Sequence, residues 1–481
     1  MKNFFLLALA AYAGVMSSFA AEPALLPPEK ATANNWIGQN ESRLKAVNQR
    51  IWSLAEVGLE EQQSAATLTE LLIEHGFKIE RGVANMPTAF TASFGSGKPV
   101  IGILAEYDAL PGLSQAVSPR QELRPGATNG HGCGHSIFGT ASTAAAIALR
   151  HALEQHQLRG TVRLYGTPAE ETLIGKVYMA QEGLFDDCDA VLHWHPSDKT
   201  DAGFETGKAM VSVKFSFKGL AAHASSAPQE GKSALDAVEL MNMAANLWRE
   251  HLPEDARVHY VITDGGGQPN VVPPQADVWY YLRADKHGDV EKMFARLMKM
   301  AEAASLMSDT SFTSTIDADT HEVLPNLALA RLIHQNLTLL GPPQFDEAEK
   351  EFARKSQAAL GQSFDVALSE RIEPIRDAPV KRKGSTDVGE ISWRVPTGGL
   401  RVASWTYGAP AHSWHVVACT GSSIGEKGML LAARALAFTA IDLVTQPDEL
   451  QKAREDFQKR RGTEEFRSLL PKGQKAPARI R

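Results

Sequence analysis

The stretch NGHGCGHSIFG, residues 129–139, sets His131, Cys133 and His135 within five positions, threaded by glycines and followed by an alanine-rich apolar run. Glycine lets the backbone turn sharply, so the side chains of Cys133 and His135 can enter one cavity. A thiolate and an imidazole two residues apart suit zinc or a similar transition metal. A glycine-rich loop entering a helix also has a purely structural explanation. Further on, TPAEET carries Glu170 and Glu171 side by side. Adjacent carboxylates are most often solvated surface charge, but beside a metal one can ligate while the other takes a proton from water. LHWHP carries His193 and His195, which share side-chain parity on a strand, and GAPAHSWH carries His412 and His415. Taken singly, each histidine reads as structural. A cysteine, several histidines and paired glutamates meeting in one crevice would read as a hydrolytic metal centre.

The elements that must bring them together are legible as alternating patterns. Residues 36–75 are helix-like. KPVIGILAEY reads as a buried strand leading to Glu106 and Asp108, SIFGTASTAAAIALRHALEQH as a long helix, GTVRLYGTP as a strand, LIGKVYMAQEGLF as a helix and DAVLHWHP as a strand. Such alternation implies a mainly parallel, helix-covered sheet of the α/β class. Ligands bind these sheets beyond the carboxyl ends of the strands, where Glu106, Asp108, Glu170, Glu171 and His195 fall. The pattern changes near Gly207. AMVSVKFSFKG alternates as a half-buried strand, SALDAVELMNMAANLWREHL is helical, RVHYVITDG and ADVWYYLRA are strands, 290–306 is helical and a last strand lies near Phe312. This β-α-β-β-α-β order describes a separate α+β, ferredoxin-like unit. At 481 residues the chain exceeds what one core usually covers. The expected division is a catalytic domain in two pieces, 21–205 and 320–465, interrupted by an inserted domain, 206–319.

The composition is that of an ordinary globular chain, 43% hydrophobic and 22% charged, and the net charge of -7 gives no footing for nucleic-acid binding. Residues 1–20 place Lys2 ahead of an apolar stretch and small residues, the layout of a secretory signal peptide, with cleavage expected after Ala20. Its apolar segment is short of the ~20 residues that span a bilayer, and no later segment reads as long and apolar enough to span. The expectation is an exported protein, periplasmic or secreted, with no membrane association after cleavage. Arg460, Arg461, Lys472, Lys475, Arg479 and Arg481 predict a basic, solvated tail over 466–481. Cys133, Cys188 and Cys419 are the three cysteines. In an oxidising compartment an odd count leaves at least one unpaired, and spacing does not say whether Cys188 meets Cys419.

Eight ordered segments carry a resemblance: AEYDALPGLSQ, GHGCGH, GTVRLYGTPAEET, GKVYMAQEGLFDDCDAVLHWHP, KGLAAHASSAPQEGKSALDAV, PNVVPPQADV, GSTDVGEISW and AHSW. Over about 36–443 the chain resembles the peptidase family M20 metallohydrolases, in the amidohydrolase subgroup that uses a cysteine ligand. The resemblance implies a site for two divalent metal ions, zinc or manganese. Cys133 would bridge or contact the metals, and His135, Glu171, His195 and His412 would complete the ligand set. Glu170 is then the general base that later passes its proton to the leaving amine. Many family members carry a His-x-Asp motif where this chain has Glu106-Tyr107-Asp108. His135 is expected to replace the missing imidazole, with Asp108 either orienting a ligand imidazole or serving only the local turn.

His223 resembles the family histidine that reaches across a dimer to the substrate carbonyl in the partner's site, where a donor stabilises the developing oxyanion. Asn270 and Arg283 match positions that bind the substrate carboxylate, which arginine does through paired charge-assisted hydrogen bonds; a structural ion pair also suits Arg283. Asp387 is a pocket or ligand-supporting residue without an assigned role. His131 and His415 are assigned to packing or to hydrogen bonding behind the ligands, and His193 is expected to touch the pocket. The implied reaction is metal-dependent cleavage of the amide bond of an N-acyl or N-aroyl amino acid, in a homodimer or beside a related subunit. Competing readings are a dipeptidase or carboxypeptidase, a hydrolase of indole-acetyl amino acids, and a non-catalytic subunit or binding protein that keeps the fold.

Overall fold

The computed structural model describes residues 26–361 and 364–480; the expected signal peptide, 1–20, lies outside the described residues. In chain order the strands are β1 (Lys78–Arg81), β2 (Phe90–Ser96), β3 (Val100–Ala105), β4 (Gly160–Gly166), β5 (Ala190–Ser197), β6 (Glu205–Thr206), β7 (Ala209–Lys218), β8 (Arg257–Asp264), β9 (Gln275–Ala284), β10 (Ser311–Thr320), β11 (Val380–Lys381) and β12 (Thr397–Ala403). The main sheet runs β1-β2-β4-β3-β5-β12. β3 pairs in parallel with β4 and β5, and β5 with β12, while β1 and β2 join antiparallel at one edge. β3, VIGILA, is buried at every position, as expected where helices cover both faces of a parallel sheet.

Two long helices form much of that cover. His135–Gln155 is buried along most of its length, and its alanines and other small residues let it pack closely on Ser423–Thr445 and on Pro28–Gln39. Ser423–Thr445 has a mean hydropathy of 1.5 and is long enough to cross a bilayer, which corrects the expectation that no later segment would be; 83% of that apolar stretch is buried inside the protein, so it is a core helix here. The helix-like segment 36–75 resolves into three helices, Pro28–Gln39, Glu41–Leu54 and Gln62–Glu74. The second ends at Ala55, whose φ of 44° no helix continues.

Between β6 and β11 the chain builds a second sheet in the order β10-β7-β9-β8, antiparallel throughout. The helices Ala234–Arg249 and His287–Ser308 touch each other and cover one face. β9 alternates strictly, with Ala276, Val278, Tyr280 and Leu282 buried beneath those helices and Trp279, Tyr281 and Arg283 half-buried on the opposite face. That opposite face is the one that meets the strand ends of the main sheet.

The C-terminal segment corrects a second expectation. Over its described residues, 466–480, the expected tail is not simply solvated. Leu470 is buried in the core shared with the second sheet, the Leu469 N–H donates to Asp319 Oδ2 at 2.6 Å, and Gln474 Nε2 donates to the Ile316 carbonyl at 2.6 Å and to the Tyr178 hydroxyl at 3.0 Å. The apolar surface of Leu469, Leu470 and Ile480 outweighs the charges around it, because a basic side chain can keep its head in water while its neighbours are buried. All three cysteines are free. Cys188 Sγ lies 3.0 Å from the Tyr165 hydroxyl and Cys419 Sγ 3.5 Å from Thr406 Oγ1, in different parts of the core.

Candidate active site

The loop before His135 follows a path that glycine alone allows at two points. A Cβ on Gly130 would sit 2.1 Å from the Leu113 carbonyl oxygen, and Gly134 has a φ of 81°. The helix begins at His135, so His135 projects from its first turn while Cys133 stays on the loop. β5 brings His195 alongside, with Cys133 Sγ 3.3 Å from His195 Nε2. His195 Nδ1 lies 2.6 Å from the Pro196 carbonyl oxygen. A ring that donates there presents the Nε2 lone pair toward Cys133. Burial, with Arg401 and His135 adding to it, holds the His195 imidazole well below its ordinary pKa and hence neutral.

Asp108 sits behind two of these groups. Its Oδ1 is 2.8 Å from His135 Nδ1 and its Oδ2 accepts the Glu171 N–H at 2.9 Å. One carboxylate therefore orients an imidazole and anchors the turn that carries the glutamate pair, in addition to any part it plays in its own loop. That turn, Glu170–Thr172, is flanked by Ala169 and Leu173 at φ 55° and 60°, conformations that L-residues keep only when their surroundings insist. Glu61 supplies part of that insistence, accepting the Ala169 N–H at 2.8 Å from a fully buried position. From the other side, His412, also at φ 60°, donates its N–H to the Gly132 carbonyl at 2.8 Å and places Nε2 3.2 Å from Glu171 Oε2.

The result is two groups of potential ligands with a member in common: Cys133, His135 and His195, and Cys133, Glu171 and His412, the ligand atoms in each lying within 4.8 Å of one another. Glu106, His135 and Glu170 form a third such group. His135 Nε2, Glu106 Oε2 and Glu171 Oε1 are buried and make no well-formed hydrogen bond, although the first two face each other at 3.3 Å. Buried polar atoms left without partners are costly, and cations would satisfy all three. Thiolate, imidazole and carboxylate together suit zinc or manganese, so the residues present fit a dinuclear site. Without cations, burial reinforced by Glu171 pushes the Cys133 thiol up to about 12, and burial lifts the Glu171 carboxyl to about 8. Metal uptake would therefore release protons from the site.

Glu170 is the carboxylate of the pair farther from the thiol group, 3.9 Å from His135 Nε2. Burial, with Glu106 and Asp387 adding to it, raises its pKa well above the ordinary value. Sequence reading missed the cation that balances this carboxylate cluster. Lys176 Nζ lies 2.8 Å from Glu106 Oε1 and 2.6 Å from Asp387 Oδ1, with all three side chains buried. The available signal was a lysine inside the otherwise apolar run GKVYMA, on a helix that follows the glutamate pair. Asp387 thereby acquires a place in the structure, accepting from both the side chain and the N–H of Lys176.

A cavity of about 370 Å³ opens over this cluster, lined by Cys133, Glu170, Glu171, His195, His412 and, from the end of β9, Arg283. Arg283 donates to Ser385 Oγ at 3.2 Å, its Nε is buried without a partner, and no carboxylate among the described residues lies within ion-pair distance. The structural ion pair that also suited this residue is not formed. His193 lines the same cavity, and its ring fills the space that Gly399, opposite it on β12, leaves open: a Cβ there would be 2.4 Å from His193 Nε2. His131 is buried behind the loop with Nε2 3.1 Å from the Ile51 carbonyl, and His415 stacks on Trp414.

His223 and Asn270 are elsewhere. Both are exposed at the tip of the second sheet, where His223 Nδ1 accepts from the Ser225 and Ser226 N–H groups and the Asn270 carbonyl accepts from Ala224. Asn270 lies before the first residue of β9 and Arg283 near its last. The eight residue-to-residue steps of strand from 275 to 283 span about 27 Å, so one chain cannot bring both to the same carboxylate.

Residues 102–436 match the model for Peptidase family M20/M25/M40. The chain belongs to this family. It is accordingly a hydrolase of amide bonds. It is 40% identical over 465 residues to the B subunit of the p-aminobenzoyl-glutamate hydrolase of Escherichia coli, covering 91% of this chain and 96% of the relative. It is 30% identical to the Xaa-Arg dipeptidase of Mus musculus, over 92% of this chain and 94% of that one. A dinuclear metal-binding M20 peptidase of Bacillus subtilis shares the fold, with a TM-score of 0.53 at 17% identity over 85% of this chain and 99% of that chain.

Proposed function

We propose that this M20 hydrolase cleaves the amide bond of N-acyl and N-aroyl amino acids of the p-aminobenzoyl-glutamate type, consuming water and releasing a carboxylic acid and a free amino acid. The observation that carries this reading is the cavity itself, with two ligand groups sharing Cys133 on one wall and the unpaired guanidinium of Arg283 on the other. Two divalent cations, zinc or manganese, held by Cys133, His135, Glu171, His195 and His412, would supply Lewis acidity toward the substrate carbonyl and lower the pKa of water. Glu170 takes the proton of the attacking water and delivers it to the leaving amine. Burial and the neighbouring Glu106 and Asp387 carboxylates raise its pKa, which makes it a stronger proton acceptor than an exposed carboxylate. Arg283 grips the carboxylate of the amino-acid half by paired hydrogen bonds. Lys383 lines the same cavity, where Arg382 is already paired with Glu205; the lysine favours an acidic amino-acid half.

His223 and Asn270 enter from a second copy of the chain. β8 is an edge strand of its sheet, and Val261, Ile262, Met243 and Leu247 leave apolar side chains exposed on it and on the neighbouring helix. An open strand edge flanked by apolar surface suits a subunit interface. His223 then donates to the developing oxyanion of the partner's substrate, and Asn270 assists the carboxylate grip. A related subunit in place of the second copy would serve the same geometry. We also propose that residues 1–20 direct export.

The test is amine release by the metal-reconstituted protein from p-aminobenzoyl-glutamate, acyl-aspartates and dipeptides, including Xaa-Arg. Acyl and aroyl derivatives of acidic amino acids should lead, and Glu170→Gln should keep its metal while losing roughly 10²- to 10⁴-fold in turnover. A preference for Xaa-Arg peptides, or full turnover by Glu170→Gln, would refute the reading.

A further inference from the structure

A second cavity, of about 480 Å³, adjoins the first, and Glu171 and Tyr281 line both. One wall is the open face of β9, where Trp279 and Tyr281 meet edge to face with ring centroids 5.4 Å apart. Leu110 and Pro111, just beyond the Asp108 loop, and Arg479 and Ile480 from the C-terminal segment line the same cavity. The C-terminal part of this lining is fastened in place. Lys214 Nζ donates to the Ile480 carbonyl at 3.0 Å while lying 4.7 Å over the Trp279 ring. Ile480 Cδ1 closes down on Gly58, where a Cβ would be 2.9 Å away.

We propose that this cavity holds the acyl arm of the substrate, that it favours a flat aromatic acyl group, and that Arg479 and Ile480 form part of its wall. The inference rests on the amidohydrolase reading and extends it to the half of the substrate that Arg283 does not touch. A substrate whose carbonyl lies beside Glu171 and whose carboxylate points to Arg283 must send its acyl group away from Arg283, and the second cavity opens there. A ring entering between Pro111 and the Trp279–Tyr281 pair meets aromatic faces and edges in the arrangement that aromatic groups prefer, and Ile480 shields it from water. The segment that carries Arg479 and Ile480 is thus part of the binding site.

The experiment compares kcat/KM for N-benzoyl-glutamate and N-acetyl-glutamate, which share the leaving half. The native chain should favour the benzoyl substrate. Trp279→Ala, Ile480→Ala and a chain ending at Ala478 should each lower the benzoyl-to-acetyl ratio by about tenfold, chiefly through KM. Ile480→Ala keeps the carbonyl that Lys214 holds, so it reports on the wall even where the shortened chain folds poorly. An unchanged ratio in all three variants overturns the proposal, as does a shift in oligomeric state with no change in ratio, which would make the cavity a subunit contact. Failure of the native protein to hydrolyse either substrate refutes the amidohydrolase reading. The cavity is then tested by saturation-transfer NMR with benzoate, whose signal should appear with the native chain and fade in Trp279→Ala; no signal with the native chain overturns the cavity assignment by itself.

Discussion

Lys176→Met asks whether a buried ammonium holds the carboxylates of the site in place. Nζ sits between Glu106 Oε1 at 2.8 Å and Asp387 Oδ1 at 2.6 Å, with none of the three side chains more than 2% exposed. The other Glu106 oxygen faces His135 Nε2 at 3.3 Å, so the lysine fixes a carboxylate that touches a candidate ligand imidazole. Methionine keeps most of the stem and removes the charge, leaving two carboxylates buried and unpaired near Glu170. Breaking a buried ion pair from one side costs about 3–5 kcal/mol. At about 2.1 cal/mol/K per residue, a folded body of ~450 residues unfolds with roughly 1 kcal/mol/K of entropy, which converts the loss into a fall of about 3–5 °C in Tm.

The pH dependence gives the sign. Burial, opposed by Lys176 and assisted by Glu106, already lifts the Asp387 carboxyl from 3.8 to about 6, and removing the lysine lifts it further. A carboxyl with a raised folded pKa binds more protons in the folded state than in the unfolded, so its cost grows as pH rises above 3.8. Calorimetry of the metal-depleted variant should therefore show a larger deficit at pH 8 than at pH 5, and Asp387→Asn in the same chain should return at least half of it. A Tm within 1 °C of the native protein at pH 8, or a deficit independent of pH, would show that the ammonium is dispensable.

Cys133 belongs to both ligand groups, so Cys133→Ser should lower metal content at both positions, measured by mass spectrometry of dialysed protein; normal occupancy would remove the thiolate from the ligand set. Mixed Glu170→Gln and His223→Ala subunits, each inactive alone, should regain about a quarter of native activity, because half of randomly paired dimers carry one intact site; no recovery after proven exchange would place His223 outside the partner's site. Burial, with His135 adding to it, holds His131 down to about 4, against 6.5 unfolded. The unfolded chain then binds the extra proton first, and the metal-free protein should lose up to about 3 kcal/mol of stability as pH falls from 6.5 to 4, with no loss from this residue above 6.5. A stability flat across that window in urea titrations would contradict a neutral, buried His131.

The strands are the most legible part of the chain. VIGILA has no polar residue to place, and ADVWYYLRA alternates without a slip, so burial on two faces or on one can be read directly. The Cys133–His135 spacing is legible for a related reason, since the flanking glycines are required by contacts and φ angles local to the loop. What cannot be read depends on side chains meeting across long separations. Lys176 reaches Asp387 over 211 positions, and in sequence it is one lysine in an apolar helix. Glu61 steadies Ala169 from 108 positions away, and nothing in LEEQQSA points there. The C-terminal segment misleads because charge dominates its composition, whereas three aliphatic side chains decide where it packs.

β9 shows most directly how the two sheets make one site. Its open face carries Trp279, Tyr281 and Arg283 in alternation, so a single strand contributes the aromatic wall of one cavity and the guanidinium of the other. The alternation that buries Tyr280 and Leu282 under the helices sets the spacing of the three groups that face the substrate, and a slip of one residue in register would turn all of them into the core. The loop ahead of the same strand carries Asn270, while the strand from Gln275 to Arg283 alone spans about 27 Å by strand rise, more than an amino-acid substrate bridges. On the proposed dimeric reading, a second chain receives the polar groups that this strand and its loop project beyond their own cavity.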